Sequence, residues 1–173
     1  MKILITGCAG FIGFHLCKKL LETKYFKVYG IDNINTYYNI ELKKSRMKVL
    51  LRYKNFKFTK IDISKKNILL EYFKKNKIHY VVSLAAQAGV RYSIDNPSTY
   101  FTNNIEGFFN ILEASRLSNI KHLIFASTSS VYGDTKKFPL KEKDNTDHPL
   151  SFYAASKKTN EVMAYSYSNI YKL

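Results

Sequence analysis

Lys2-Ile3-Leu4-Ile5-Thr6, followed directly by Gly7-Cys8-Ala9-Gly10-Phe11-Ile12-Gly13, is the stretch that decides the fold. A short apolar run ahead of a glycine cluster reads as a buried strand. Phe11 to Thr23 then carries Phe11, Ile12, Leu16, Leu20 and Leu21 at helical spacing. The glycine spacing is GxxGxxG, a variant of the GxGxxG fingerprint that joins a strand to a helix around a pyrophosphate. Glycine permits the tight turn, the close approach of backbone to phosphate and the close packing of helix on strand. The helix N-terminus then turns its free N–H groups toward the anion. A glycine cluster alone also suits a plain turn, so the context matters. A second strand, Lys27–Asp32, ends in a carboxylate 19 residues after Gly13 (32 − 13). That is the spacing at which such sites hold a ribose hydroxyl. Asp32 accepts from a ribose 2′-OH and repels a 2′-phosphate. Asn33 follows it, where an arginine would favour the phosphate. The loop is therefore expected to bind NAD rather than NADP.

Strands and helices alternate onward from there. Asn33–Asn39 is a polar turn, and Ile40–Tyr53 is helical with Leu42, Met47, Leu50 and Leu51 apolar. Phe56–Ile61 reads as a third strand with one wetter face. Asp62 closes it, either as an adenine-side residue or as a loop acid. Ser64 to Asn76 is a helix with Ser64 as N-cap and Ile68, Leu69, Tyr72 and Phe73 inward. His79–Leu84 is a fourth strand. Ser98 to Leu117 is one long helix with Pro97 ahead of it, Ser98 as a cap, and Ile105, Phe108, Phe109 and Leu112 as its apolar face. Lys121–Ala126 is a fifth strand, Thr135–Pro149 a charged loop, and Tyr153 to Tyr171 the last helix. The pattern predicts an α/β fold: a Rossmann-type doubly wound parallel sheet with helices on both faces, in one domain over 1–173.

Composition narrows the function. The chain has 173 residues, 46% of them hydrophobic, and a net charge of +15. Of the 28 basic residues only four are arginine (Arg46, Arg52, Arg91, Arg116). Base and phosphate readers favour the arginine fork. The lysine excess, densest from Lys43 to Lys60, therefore reads as solvated surface rather than a nucleic-acid patch. Two cysteines, Cys8 and Cys17, make neither a disulfide framework nor a CxxC pair, and no metal site is expected. No apolar run is long enough for a membrane span. A soluble, reducing, cytoplasmic setting is the expectation.

A second motif is Tyr153-Ala154-Ala155-Ser156-Lys157. Its i, i+4 spacing puts phenol and ammonium on one helix face, where the cation favours the phenolate. Such a tyrosine is a usable general base. With 14 tyrosines in the chain the pair alone carries little. The hydroxyl cluster Ser127-Thr128-Ser129-Ser130, at the carboxyl end of strand five, gives it a setting, because that rim is where such sheets place chemistry.

Together these segments resemble the extended short-chain dehydrogenase/reductase superfamily, in its nucleotide-sugar epimerase/dehydratase branch. Leu84 to Ser93, Tyr100 to Gly107 and Ala126 to Gly133 add to the match. Ile31 to Asn35 with Tyr37-Tyr38, Ala86 to Ser93, and Tyr153 to Glu161 are similar to UDP-glucuronate 4-epimerases in particular. The resemblance implies that Gly7, Gly10, Phe11, Ile12 and Gly13 hold the pyrophosphate and that Asp32 and Asn33 hold the adenosine ribose. Asp62 and Ile63 would flank the adenine, and Leu84, Ala85, Ala86 and Gln87 would line the cofactor. Asn104 would face the cofactor or serve as a polar packing group. Thr128, Tyr153 and Lys157 would be catalytic. Ser127, Thr128, Arg91 and Ser93 would lie near the substrate, or Arg91 would be a surface ion-pair partner.

The implied reaction is reversible NAD-dependent oxidation at C4 of a UDP-sugar, UDP-glucuronate above the others. Dehydratases carry an Asp-Glu pair after the active-site threonine, whereas Ser129-Ser130 follow Thr128 here. The resemblance also implies a homodimer built on helices 98–117 and 153–171. The family continues past this point with a further strand and a substrate-binding part, which this sequence lacks. The chain then reads as a piece of a longer protein, as a split enzyme needing a second polypeptide, or as an NAD-binding module. An exposed apolar patch near the last helix is expected in each case.

Overall fold

The computed structural model describes residues 1–173. Five strands, β1 (Lys2–Thr6), β2 (Lys27–Asp32), β3 (Phe56–Lys60), β4 (Tyr80–Ser83) and β5 (His122–Phe125), form one parallel sheet in the order β3-β2-β1-β4-β5. The order reverses between β1 and β4, and the crevice at the carboxyl ends of these two strands is where open α/β sheets bind ligands. In register, Thr6 lies beside Ile31 and Ser83, and Ser83 beside Phe125. Gly7, Asp32, Leu84 and Ala126 therefore emerge along a single rim.

Helices cover both faces. On one side α1 (Phe11–Glu22) and α2 (Ile40–Leu50) pack Cys17, Leu21, Met47 and Leu50 against Ile3, Ile5 and Val28 of the sheet. On the other, α3 (Lys66–Asn76) and α6 (Gly107–Leu117) bring Leu69, Phe73, Ile111 and Ala114 onto Leu4, Ile31 and Val81. Each fully buried aliphatic or phenyl side chain contributes about 1.5–3 kcal/mol, so these two clusters supply the main cohesion of the domain. Cys8 and Cys17 are free and buried, and burial pushes both thiols up.

Several expectations are corrected in detail. The inward stripe of α1 is Gly13, Cys17 and Leu21; Phe11 and Ile12 are exposed at 68% and 63%, because α1 opens at the rim and not over the core. Leu42, Leu51 and Ile68 are likewise exposed. Ser64 caps nothing: α3 begins at Lys66 with Lys65 at its N-cap and no side-chain bond there. The long helix at 98–117 is instead a succession. A short α4 (Tyr92–Asp95) precedes α5 (Pro97–Tyr100), a π turn spans Phe101–Glu106, and α6 follows. Pro97 takes the first helical position, with Asn96 and not Ser98 as the N-cap residue. The last helix, α7 (Phe152–Tyr171), starts one residue earlier than its pattern suggests. Ser151 caps it, accepting from the Ala154 N–H at 3.1 Å, a bond of about 1 kcal/mol.

Two apolar surfaces remain open. Val162, Tyr165 and Ile170 of α7 are 58–78% exposed, in line with the patch expected near the last helix. On the sheet face that carries α1, His122 and Ile124 of β5 are exposed. Tyr80, Val82, His122 and Ile124 line a hollow of about 280 Å³ there. No helix is long and apolar enough to cross a membrane.

Candidate functional site

The crevice at the rim is a cavity of about 620 Å³. Gly7, Gly10, Phe11, Ile12, Gly13, Asp32, Asn33, Ile63, Leu84, Ala85, Ala86 and Gln87 are among the residues that line it. The glycine loop is a direct extension of the sheet. The Gly7 N–H donates to the Ile31 carbonyl at 2.8 Å, and φ at Gly7 is +70°, a value side-chain-bearing residues rarely adopt. A Cβ at Gly7 would stand 2.8 Å from the Ala85 nitrogen, and one at Gly13 would stand 2.2 Å from the Gly7 carbonyl oxygen. The loop is therefore pressed between β4 and α1 with no space for side chains. The N–H groups of Phe11, Ile12 and Gly13 at the start of α1 donate to nothing in the chain. A cradle of bare backbone with free amides beside a buried carboxylate fits a dinucleotide pyrophosphate and ribose.

Asp32 is buried at the end of β2. Its Oδ1 accepts from the Ile34 N–H at 2.8 Å and its Oδ2 from the Ala9 N–H at 3.1 Å. Each oxygen keeps a lone pair for a ribose hydroxyl. Asn33 donates through Nδ2 to Asp62 Oδ2 at 3.0 Å, and Asp62 Oδ1 accepts from the Ser64 N–H at 2.9 Å. Burial opposes ionisation of Asp62, but these hydrogen bonds outweigh it and hold the carboxyl below its ordinary value. Asp62 is thus a bracket for Asn33. Its side chain is not part of the cavity wall, while Ile61 and Ile63 on either side are.

Asn104 is the larger correction. It is buried in the π turn, with Oδ1 accepting from the Gln87 N–H at 2.7 Å. Its Nδ2 donates to the Gln87 carbonyl at 3.0 Å and to Ser156 Oγ at 2.9 Å. Both donors are spent within the protein, so Asn104 clamps the β4 loop to α7 and its neighbour Asn103 faces the cavity. Adjacent residues of a helical turn point in different directions, which is how neighbouring asparagines take different jobs. Ser93 is also structural: fully buried, it donates to the Val90 carbonyl at 2.6 Å. Ser127 donates to Glu161 of α7. Arg91 is exposed and forms no ion pair.

Thr128, Tyr153 and Lys157 lie outside the cavity wall, which includes Ala126. The helix that carries Tyr153 and Lys157, α7, packs on the short 3-10 turn Ser129–Tyr132, and Thr128 directly precedes that turn. Thr128 caps that turn, its Oγ1 accepting from the Ser130 N–H at 3.2 Å. Tyr153 is half-buried, edge-on to Tyr100 with ring centroids 6.0 Å apart. The Tyr100 hydroxyl in turn donates to the Ala88 carbonyl at 2.9 Å, linking the helix to the cavity loop. Lys157 is 7% exposed and has no hydrogen-bond partner in the chain. Burial pushes its amine down to about 8, with the Glu161 carboxylate opposing. A lysine with a lowered folded value binds fewer protons folded than unfolded between about pH 8 and its ordinary 10.5. Stability from this group therefore rises with pH across that window. Denaturant melts of wild type and Lys157→Met should diverge there, with the rise absent in the variant. Parallel curves would contradict the assigned burial of the charge.

Sequence reading missed several groups at the site. Thr6 Oγ1, fully buried, accepts from the Leu84 and Ala85 N–H groups at 3.1 and 2.9 Å and so shapes the loop after β4. Tyr37, Tyr38, Lys43 and Arg46 line the cavity. Lys43 and Arg46 belong to the basic run read as solvated surface. Yet Lys43 is 5% exposed, and its Nζ donates to the Asn35 carbonyl at 2.8 Å and Asn35 Oδ1 at 2.6 Å. Burial, which outweighs the attraction of Asp32, pushes its amine down.

Comparison with known proteins matches residues 4–173 to the family described as GDP-mannose 4,6 dehydratase. The chain belongs to this family. Among its relatives are "Protein CapI" of Staphylococcus aureus, 54% identical over the whole chain and 51% of its own length. Another is a probable UDP-glucuronate 4-epimerase of Rhizobium meliloti, 43% identical over the whole chain and 50% of its length. A crystal structure of UDP-glucuronic acid 4-epimerase from Bacillus cereus, in complex with UDP-glucuronic acid and NAD, superposes with a TM-score of 0.91 at 36% identity. It covers 100% of this chain and 54% of that one. The chain thus spans about half the length of the relatives it matches. The family membership agrees with the parallel sheet, its glycine loop and its tyrosine–lysine helix.

Proposed function

We propose that this chain is the NAD-binding and catalytic part of an enzyme that inverts C4 of a UDP-sugar, with UDP-glucuronate and UDP-galacturonate as the interconverted pair. The observation that carries the proposal is Lys157: a buried lysine one helical turn from Tyr153, with its charged form disfavoured by burial and only partly offset by the Glu161 carboxylate. A phenolate beside it would favour the ammonium, and the ammonium the phenolate.

Gly7, Gly10, Gly13 and the amides of Phe11 and Ile12 would hold the pyrophosphate of NAD, with Asp32 on the ribose. NAD, when bound, supplies a reversible hydride acceptor for C4. Tyr153 takes the proton of the C4 hydroxyl and returns it to the product, which is general base and then general acid work. Lys157 favours the phenolate and Thr128 offers a hydroxyl to the same oxygen. Arg91, exposed and unpaired, is a cation available to an anionic substrate. The likeness to a probable UDP-glucuronate 4-epimerase and to a UDP-glucuronic acid 4-epimerase supports the sugar assignment. A dehydratase must place an acid and a base beside the sugar to expel water, and Ser129 and Ser130 provide neither. The exposed apolar residues of α7, with Phe109 of α6, are proposed to join a second copy. A further segment, in the same or another polypeptide, is proposed to grip the uridine.

The protein isolated from its native source, given NAD and UDP-glucuronate, is expected to form UDP-galacturonate and to reach the same mixture from either sugar. A 4-keto-6-deoxy product from any UDP- or dTDP-hexose would overturn this reading.

A further inference from the structure

The first bond of α1 is from the Phe14 N–H to the carbonyl of the N-cap residue Gly10 at 3.0 Å, so the Gly13 N–H is left free as at any helix start. Were α1 one residue longer, the Gly13 N–H would donate to the Ala9 carbonyl four residues back. Here it does not. The Ala9 carbonyl accepts instead from Arg46 Nη1 at 3.1 Å and from the Tyr38 hydroxyl at 3.4 Å. Arg46 Nη1 also donates to the Tyr38 oxygen at 3.0 Å, so the two side chains hold each other in place. On the other side of the same residue, the Ala9 N–H is held by Asp32 Oδ2 at 3.1 Å. The Gly10 N–H is held by the Gly7 carbonyl at 3.0 Å. Every backbone hydrogen-bonding group from Ala9 to the Gly10 nitrogen is thus fixed by something other than α1.

We propose that Arg46 and Tyr38 form a latch on the Ala9 carbonyl that stops α1 from winding back over the glycine loop and so keeps the Gly13 amide free for a pyrophosphate. Capture by a cation is effective because a charged hydrogen bond to a carbonyl outlasts a neutral one. The guanidinium is suited to the task by reaching two acceptors at once. With the latch gone, the Ala9 carbonyl turns down the helix axis and accepts the Gly13 N–H. The loop then loses one of the donors that face the anion. Arg46 is a positioning residue here, acting on the phosphate site through backbone. The proposal rests on the reading of the loop as an NAD site.

The test is calorimetric titration of the whole chain with NAD, ADP-ribose and adenosine, in wild type, Arg46→Ala and Tyr38→Phe. Arg46→Ala is expected to weaken NAD and ADP-ribose alike by about tenfold, the size of one charged hydrogen bond. Adenosine, which has no phosphate, should stay within twofold. Tyr38→Phe, a milder change that covers the case of Arg46→Ala failing to fold, should weaken NAD and spare adenosine. Hydrogen exchange without ligand should show the Gly13 amide slowed in either variant, since it gains an acceptor. NAD binding unchanged in the variants, or adenosine weakened as much as NAD, would overturn the latch and leave the NAD site standing. A wild-type chain that ignores NAD would overturn both.

Discussion

Gly13→Ala is expected to cost the chain its cofactor binding by roughly a hundredfold or more, with a lower melting temperature. The new Cβ would stand 2.2 Å from the Gly7 carbonyl oxygen and 2.9 Å from its carbon. Both are backbone atoms, and Gly7 is itself wedged against Ala85, so no flexible side chain exists to give way. Either α1 lifts from the loop or the loop leaves β4. Overpacking of this kind costs about 1–3 kcal/mol even where side chains can move, and at its upper end that is about a hundredfold in affinity. The same displacement scatters the amides of Phe11, Ile12 and Gly13. Titration with NAD, alongside a thermal melt, measures both effects. Affinity at the wild-type level would mean that α1 does not pack on Gly7 as described.

Tyr153→Phe should leave the fold and NAD affinity near wild type and remove turnover by about a factor of 10²–10⁴, the range for a lost general acid–base group. The substitution keeps the ring that packs edge-on to Tyr100 and deletes only the hydroxyl. Lys157 then remains buried without a phenolate to favour. Assaying sugar interconversion in the native protein and its variant separates the two consequences. Surviving turnover would remove Tyr153 from the chemistry; lost NAD binding would place it in the cofactor site first.

What was legible in the sequence was what is local in it. The glycine loop, Asp32 at a fixed distance, and the i, i+4 pair Tyr153 and Lys157 each declare their geometry within a few residues. The doubly wound sheet follows from the alternation of strand and helix periods. What was illegible depends on partners far along the chain. Arg46 looks like any member of a basic run until Ala9, 37 residues earlier, turns its carbonyl to it. Lys43 is hidden by the Asn35 turn, and Thr6 reads as an ordinary strand residue although its hydroxyl bridges to β4. Phe11 and Ile12 match a core stripe in period, yet their turn of helix stands at the mouth of the crevice. Asn104 and Ser93 drew attention as polar residues in motif positions, and burial has assigned both to holding the backbone. The π turn leaves no trace in periodicity, because one inserted residue per turn only blurs the helical repeat.

The rim of this sheet is proposed to be an NAD site whose specificity comes from Asp32. Side-by-side titration of the chain with NAD and NADP tests it most directly. NAD should bind saturably at one site per chain and NADP more weakly by at least about tenfold, since the Asp32 carboxylate accepts from a 2′-OH and repels a 2′-phosphate. Equal affinity for the two, or no binding of either, would contradict it.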